Sequence, residues 1–90
     1  METVSARHIL VDTLEQAQNL RQEIVDEQSF VVAAISHSKC PSGKQGGNLG
    51  LFSRGQMVKP FEDAAYGLSV GSISDPVQTQ FGYHLIFRTQ

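Results

Sequence analysis

The chain has little of several features that define large classes of protein. Its 90 residues include one cysteine and only seven lysines and arginines, and they contain no long apolar run. A lone cysteine forms no internal disulfide, which fits a reducing compartment. A net charge of −2 without a basic run argues against nucleic acid as the main partner. Because no window is apolar enough to cross a bilayer, no membrane partner is expected either.

The N-terminal residues also lack the basic region and the apolar segment of a signal peptide, so we expect a cytoplasmic protein. The length suits one domain, residues 1–90, with a single modest core. Hydrophobic residues make up 40% and charged residues 18% of the chain, as in ordinary soluble globular proteins.

Hydrophobic periodicity predicts an α+β domain with the element order β-α-α-β-α-β-β and a small, mostly antiparallel sheet. The predicted elements are strands at Ser5–Val11, Asn48–Ser53, Ser72–Val77 and Tyr83–Arg88, and helices at Thr13–Glu27, at Ser29–His37 and from Pro60 to before Gly71. The Ser29–His37 segment also suits a strand because of its β-branched residues, but the stripe of Phe30 and Ala34 favours a helix.

Glycine is concentrated in one stretch, since five of the eight glycines lie between Gly43 and Gly55. Glycine loses much conformational entropy on folding, so this stretch must need unusual backbone angles or a close approach of the backbone. Bulky apolar residues such as Leu49, Phe52 and Met57 are spaced among these glycines and beyond them. Such side chains in a loop are as suited to lining a pocket as to filling a core. We therefore expect the functional site here.

Two histidines, His8 and His84, are predicted to lie in the first and last strands, able to share one face of the sheet. Adjacent imidazoles donate and accept in series and so fix each other's tautomer. Together with Cys40 they would also supply zinc ligands, although no two of them show the short spacing of structural zinc sites. A cysteine protease would need Cys40 activated by a histidine, and no motif positions it as a nucleophile.

The segment Gly43-Lys44-Gln45-Gly46 offers an alternative function. It matches the GXXG loop by which KH domains clamp a nucleic-acid backbone. The pattern has only two fixed positions and follows Pro41 rather than lying tightly between two helices. Nucleic-acid binding at Lys44 and Gln45 therefore stays as the second hypothesis.

Several consecutive segments resemble the parvulin family of peptidyl-prolyl cis/trans isomerases. They are HILV at His8–Val11, GGNLG at Gly46–Gly50, FSRGQMVKPFEDAAYGL at Phe52–Leu68 and DPVQTQFGYHLI at Asp75–Ile86. The resemblance runs from about Ala6 to Arg88 in the family's order. It implies the parvulin fold, a four-stranded antiparallel sheet surrounded by helices, in a small stand-alone member of the bacterial or archaeal kind. We expect a monomer.

The same resemblance implies two groups of site residues. The family's proline pocket matches Leu49, Phe52, Met57, Phe61 and Phe81, with Met57 and Phe61 holding the proline ring. The family's catalytic positions match His8, Cys40, Thr79 and His84.

The implied reaction is rotation about the X–Pro bond of proline-containing peptides and of unfolded or folding proteins. No bond is made or broken, so no cofactor and no metal are expected. Members selective for phosphorylated residues before proline carry a basic cluster in a long loop after the first strand. Here Val11 is followed by the short, acidic Asp12–Glu15, which would repel phosphate. We therefore expect a preference for uncharged or apolar residues before proline, and leave open whether Cys40 acts by charge or by covalent attack.

Overall fold

The computed structural model describes residues 2–90, and their elements follow the β-α-α-β-α-β-β order predicted from the sequence. The strands are β1 (Thr3–Val11), β2 (Asn48–Ser53), β3 (Val77–Thr79) and β4 (Gly82–Arg88). The helices are α1 (Leu14–Glu23), α2 (Glu27–His37) and α3 (Lys59–Gly67), and a 3-10 helix at Pro41–Gln45 lies between α2 and β2. No helix in this part of the chain is long and apolar enough to span a bilayer.

The strands form one antiparallel sheet with the order β2-β1-β4-β3, so β1 and β4 are its central strands. The register between them places His8 opposite Ile86 and Leu10 opposite His84. Because residues directly opposite each other share a face of the sheet, these four side chains lie together. The two histidines are therefore diagonal neighbours on one face, as the sequence predicts.

Helices cover both faces of this sheet. On one face α1 and α2 bury a cluster made of Ile9, Val11, Ala17, Leu20, Ile24, Phe30, Ala34, Leu85 and Phe87. On the other face α3 buries a cluster made of Val4, Ala6, Phe52, Phe61, Ala65 and Ile86. Burying one large apolar side chain stabilises the fold by about 1.5–3 kcal/mol. The histidine pair lies on the α3 face, so α3 positions the site.

The junction between α1 and α2 lies earlier than the periodicity predicts. Thr13 caps α1 as one of its two predicted caps, but the helix ends at Glu23 and not at Glu27. The Asp26 side chain accepts a hydrogen bond from the Ser29 N–H at 2.8 Å, and the Ser29 Oγ accepts from the Asp26 N–H at 3.1 Å. This capping box starts α2 at Glu27, so Ser29 lies inside the helix and is not its cap.

The predicted strand at Ser72–Val77 is wrong in its extent. The regular strand is β3, which begins at Val77, and the preceding segment pairs with β4 at an isolated bridge between Ile73 and Phe87 rather than as a continuous ladder. Pro76 has no N–H to donate to a ladder, and the Ser74 Oγ accepts the Ile86 N–H at 3.0 Å in place of a backbone carbonyl. A side chain thus replaces one step of strand pairing here.

The residues after β4 return to the start of β1. The N–H groups of Thr89 and Gln90 both donate to the Ser5 carbonyl, at 2.7 and 3.1 Å, and the Ser5 N–H donates to the Gln90 carbonyl at 3.2 Å. The first and last described parts of the chain therefore lie side by side.

The glycines of the GXXG pattern are explained by close packing. This pattern occupies the end of the 3-10 helix, where a Cβ on Gly43 would lie 2.9 Å from the Ala34 carbonyl oxygen. A Cβ on Gly46 would lie 2.8 Å from a guanidinium nitrogen of Arg7. Both glycines let this turn press against its neighbours.

Gly47 brings the glycine-rich segment onto β1 beside the site. Its carbonyl accepts the His8 N–H at 2.9 Å, and its φ is +79°. A Cβ on Gly47 would lie 2.2 Å from the His8 carbonyl oxygen, far inside van der Waals contact. Glycine is therefore required twice over, by the backbone angle and by the contact.

We expect Gly47→Ala to lower the free energy of unfolding by about 1–3 kcal/mol more than Gly50→Ala, because overpacking against His8 adds to the backbone strain that both share. Gly50 is a matched control, since its φ is +71° but no atom lies within 4 Å of an added Cβ. Urea unfolding followed by circular dichroism measures both variants. Equal losses would show that the contact with His8 relaxes without cost.

Candidate active site

An open cavity of about 540 Å³ lies at the ends of β1 and β4, beside α3. Its apolar lining residues are Leu10, Pro41, Leu49, Met57, Val58, Phe61 and Phe81. Its polar lining residues are His8, Lys39, Cys40, Gln56 and His84. A cavity of this size with a mostly apolar wall and a few convergent polar groups is typical of a small-ligand site.

Phe61 lines the cavity next to the histidine pair. It lies in the first turn of α3, where Pro60 fits the early helical positions, and only 3% of it is exposed. The Phe61 ring meets His8 and His84 edge-on, with ring centroids 5.5 and 5.2 Å apart and interplanar angles of 83° and 82°. Phe61 therefore covers part of both imidazoles and offers an aromatic surface to the cavity.

Phe52 does not line the cavity, although the resemblance places it on the pocket wall. It is 3% exposed and belongs to the core cluster under α3, with its ring centroid 6.2 Å from that of Phe61. Its register partner is the buried Val4, so the strand alternation turns Phe52 inward. Phe52 therefore supports Phe61 from behind.

Except Thr79, which lies behind His84, the other implied residues line the cavity. Leu49, Met57 and Phe81 line it together with Phe61, and Phe81 is 60% exposed on the turn between β3 and β4. Cys40 lies at the cavity edge directly before the 3-10 helix.

A hydrogen-bonded chain runs along the floor of the cavity. The Nδ1 atoms of His8 and His84 are 3.1 Å apart, and the two rings stack with an interplanar angle of 18°. The His84 Nε2 lies 2.7 Å from the Thr79 Oγ1, which in turn accepts the Phe81 N–H at 3.1 Å. The exposed Phe81 turn is thus tied through Thr79 to the buried histidines.

Sequence reasoning missed Ser42, which extends this chain to the cysteine. Its Oγ lies 3.2 Å from the His8 Nε2 and donates to the Cys40 Sγ at 3.3 Å. The tight turn of the 3-10 helix brings Ser42 back over Cys40. The only available signal was a hydroxyl two residues after a candidate cysteine.

Both histidines are neutral at pH 7. Burial, and then the nearby His84, lower the pKa of His8 from 6.5 to about 4. Burial likewise lowers the pKa of His84. A neutral imidazole has one N–H and one acceptor nitrogen, so the protons are assigned from the pattern of partners. Because the Ser42 hydroxyl donates to the Cys40 Sγ, His8 Nε2 donates to Ser42, His84 Nδ1 donates to His8, and the Thr79 hydroxyl donates to His84 Nε2.

Glu62 holds the loop that carries Gln56 and Met57. Its side chain is 7% exposed, and its two carboxylate oxygens accept the Gly55 N–H at 2.6 Å and the Arg54 Nη1 at 3.1 Å. A buried carboxylate needs such partners to offset its loss of hydration. The first turn of α3 therefore clamps the β2–α3 loop and with it one wall of the cavity.

A smaller groove of about 280 Å³ lies between α1 and α2, lined in part by Leu20, Ile24 and Val32. It lies on the opposite face of the sheet from the histidine pair. The polar network belongs to the larger cavity, which is the candidate active site.

Within residues 2–90, no group of three or more His, Cys, Asp or Glu side chains is arranged to hold a metal ion. His8 and His84 direct one nitrogen each at the other ring, and their remaining nitrogens at Ser42 and Thr79. The ring nitrogens of the pair are thus all engaged in hydrogen bonds.

Comparison with known proteins places the chain in a family. Residues 6–90 match the family model "Rotamase: PPIC-type PPIASE domain". The chain is 54% identical over 79 residues to the peptidyl-prolyl cis-trans isomerase Pin1 of Digitalis lanata, a match that covers 87% of this chain and 67% of that protein. It is 45% identical over 84 residues to the foldase protein PrsA of a Geobacillus strain, which covers 92% of this chain but 30% of that protein.

Solved structures share the fold. A SurA-like chaperone of Campylobacter jejuni superposes with a TM-score of 0.93 at 40% identity, over 98% of this chain and 38% of that one. Pin from the archaeon Cenarcheaum symbiosum superposes with a TM-score of 0.85 at 42% identity, over 96% of this chain and 90% of that one. This chain thus spans nearly all of one relative and little more than a third of the other.

The fold and the family match define a protein of the parvulin class, with the α+β architecture expected from the sequence. The chain belongs to the PPIC-type family and is a peptidyl-prolyl cis/trans isomerase. The family match implies that its substrates are proline-containing proteins.

The lowered pKa of His8 predicts that stability falls between pH 8 and pH 5. The unfolded chain takes up a proton near pH 6.5, whereas folded His8 stays neutral down to about pH 4. The stabilising contribution is thus complete above pH 6.5 and is lost as the pH falls toward the folded pKa. It amounts to about 2 kcal/mol between pH 8 and pH 5, and His84 adds to it in the same direction.

Urea unfolding at several pH values tests this expectation. His8→Gln should show a smaller fall than the wild type, whereas His37→Gln, which changes the exposed third histidine, should keep the full fall. A His8→Gln variant with an unchanged fall would contradict the assignment.

Proposed function

We propose that this enzyme binds the proline ring of folding proteins in the apolar cavity and prefers an uncharged or apolar residue before proline. The main support is the cavity wall, where Leu49, Met57, Phe61 and Phe81 surround a space suited to a small ring. Phe52 contributes to this pocket only by packing behind Phe61. The residues proposed to take part in catalysis are Cys40, beside the amide, and His8, Thr79 and His84, which hold the cavity floor.

The proposed catalytic effect comes first from the apolar wall. Rotation of a peptide bond must break its conjugation, against a barrier of about 18–20 kcal/mol. The planar amide has more charge separation than the twisted amide, so a site poor in water favours the twisted state. Interactions that are stronger in the twisted state than in the planar one raise the rate. Met57, Phe61 and Phe81 supply this environment.

The histidine chain keeps the cavity floor in one geometry. Both imidazoles are neutral and fully hydrogen-bonded, so the floor holds no buried charge that would favour the polar planar amide. Thr79 and Ser42 fix the two outer ring nitrogens. We assign His8, His84 and Thr79 the role of maintaining this shape, with Cys40 beside the substrate carbonyl.

The preference for an uncharged residue before proline rests on the charges around the cavity. β1 ends at Val11 and is followed by Asp12, so no basic loop follows the strand. Arg54 contacts Glu62 at 3.1 Å, and Lys59 contacts Asp63 at 3.0 Å. Both cations are therefore already paired, and a phosphate before proline would have to compete for them.

The clients in this proposal are unfolded or folding proteins, encountered by a monomer in the cytoplasm. The lone cysteine, Cys40, supports a reducing compartment. Cell location and oligomeric state stay predictions from the sequence.

Three peptides that differ only before proline test the proposed preference. We expect kcat/KM to be highest for Leu-Pro and lower for Glu-Pro and phosphoSer-Pro, because the cavity is apolar and Arg54 and Lys59 are paired. A protease-coupled assay or NMR exchange spectroscopy measures the rates, with Met57→Ala as a variant of weakened pocket. A higher value for phosphoSer-Pro would contradict the preference.

Replacing Cys40 separates its two suggested roles. An electrostatic role needs only negative charge beside the carbonyl, whereas covalent attack needs a nucleophilic sulfur. We expect Cys40→Asp to retain much of the isomerase rate and Cys40→Ala to retain less, with circular dichroism confirming that both fold. Similar losses in both would favour covalent attack. A milder effect of Ala than of Asp would mean that Cys40 only packs beside Pro41.

A further inference from the structure

Lys39 is a cation at the cavity, and the family resemblance assigns it no role. It lines the cavity directly before Cys40. Its N–H donates to the Leu10 carbonyl at 2.8 Å, and the Leu10 N–H donates to the Ser38 Oγ at 3.1 Å. The segment after α2 is thus pinned to the end of β1, which fixes the backbone of Lys39 at the rim.

The ammonium of Lys39 is paired with the carboxylate of Asp12, the first residue after β1. The two side chains are 55% and 59% exposed, so the pair lies at the solvent edge of the cavity. An exposed pair of this kind is held weakly, by about 0–1 kcal/mol. A charged group of a substrate would therefore compete with either member.

Lys39 is the one cation among the described residues that line the cavity. Arg54 and Lys59 lie outside the lining and are engaged by Glu62 and Asp63. The charge at the edge of the cavity therefore depends on Lys39 and on its partner Asp12.

The location of Lys39 relates this charge to one substrate position. The carbonyl of an X–Pro bond belongs to residue X, and Cys40 is the residue proposed to face that carbonyl. Lys39 immediately precedes Cys40 and lines the same cavity, so we take X as the substrate position on which its charge acts.

We propose that Asp12 and Lys39 together determine which residue is accepted before proline. Asp12 neutralises Lys39, so an acidic residue before proline meets an attractive and a repulsive charge at once and gains nothing. Without Asp12, the free ammonium of Lys39 recruits acidic residues at this position. This inference rests on the proposed site and names two of its specificity-determining residues.

Asp12→Asn tests the proposal against a matched control. Asp63→Asn changes the net charge equally and removes the nearer of the two carboxylates paired with Lys59, a lysine outside the cavity lining that keeps Glu62 at 3.8 Å. We expect Asp12→Asn to raise the ratio of kcat/KM for Glu-Pro to that for Leu-Pro by about fivefold at low salt, the order of effect of one exposed charge pair. Asp63→Asn should leave the ratio at the wild-type value.

Adding Lys39→Gln to Asp12→Asn should return the ratio to the wild-type value, and about 0.5 M NaCl should shrink the gain by screening. An unchanged ratio in Asp12→Asn, an equal rise in Asp63→Asn, or a rise that survives Lys39→Gln would each overturn the proposal. The rate of the wild type on Leu-Pro, measured alongside, tests the proposed function separately. If the wild type is active but Asp12→Asn leaves the Glu-Pro to Leu-Pro ratio unchanged, only the proposed role of Asp12 and Lys39 is wrong.

Discussion

The hydrogen bond between the Nδ1 atoms of His8 and His84 constrains much of the surrounding structure. Two imidazoles are buried where the central strands meet. Burying a polar nitrogen without a hydrogen bond would cost about 2–7 kcal/mol. Each ring uses one nitrogen for its partner and must find another group for the second. Thr79 and Ser42 fill these two positions. The pair therefore fixes a turn on one side and a 3-10 helix on the other.

Half of the residues that line the cavity lie outside helices and strands, and specific contacts hold the segments around them. The glycine-rich segment is fastened to β1 through the Gly47 carbonyl, and the loop before α3 is fastened by the Glu62 carboxylate. The turn that carries Phe81 is fastened through Thr79. An apolar site built on loops keeps its shape when few of those loops are free to move, which lowers the cost of ordering a substrate.

The element order could be predicted from the sequence because the hydrophobic periodicity of each segment agrees with its position in the folded sheet. Alternation in β1 and β4 placed both histidines on one face, and the same pattern survives in the register of the sheet. The ends of the helices and strands differ from the prediction where local sequence signals compete. The capping box at Asp26 shortened α1, and the side chain of Ser74 replaced a step of the ladder that the predicted strand required.

The details of the site were harder to predict because they depend on contacts between distant segments. The family position of Phe52 does not reveal that its strand turns it behind Phe61. Ser42 and Lys39 carry no spacing signal, since their roles follow from a 3-10 turn and from the pairing of the segment after α2 with Leu10. The types of residue at the site could be predicted from the sequence, but their atomic contacts depend on tertiary packing.

The bonds between Ser5 and the last two residues have a consequence for how this domain is joined to other polypeptide. Ser5 and Gln90 lie side by side, so insertion of the domain into a surface loop of a host protein would need only a small opening in that loop. Such an insertion closes a short path and costs the host little loop entropy. Two covalent connections would also restrict the rotation of the domain more than a single linker does.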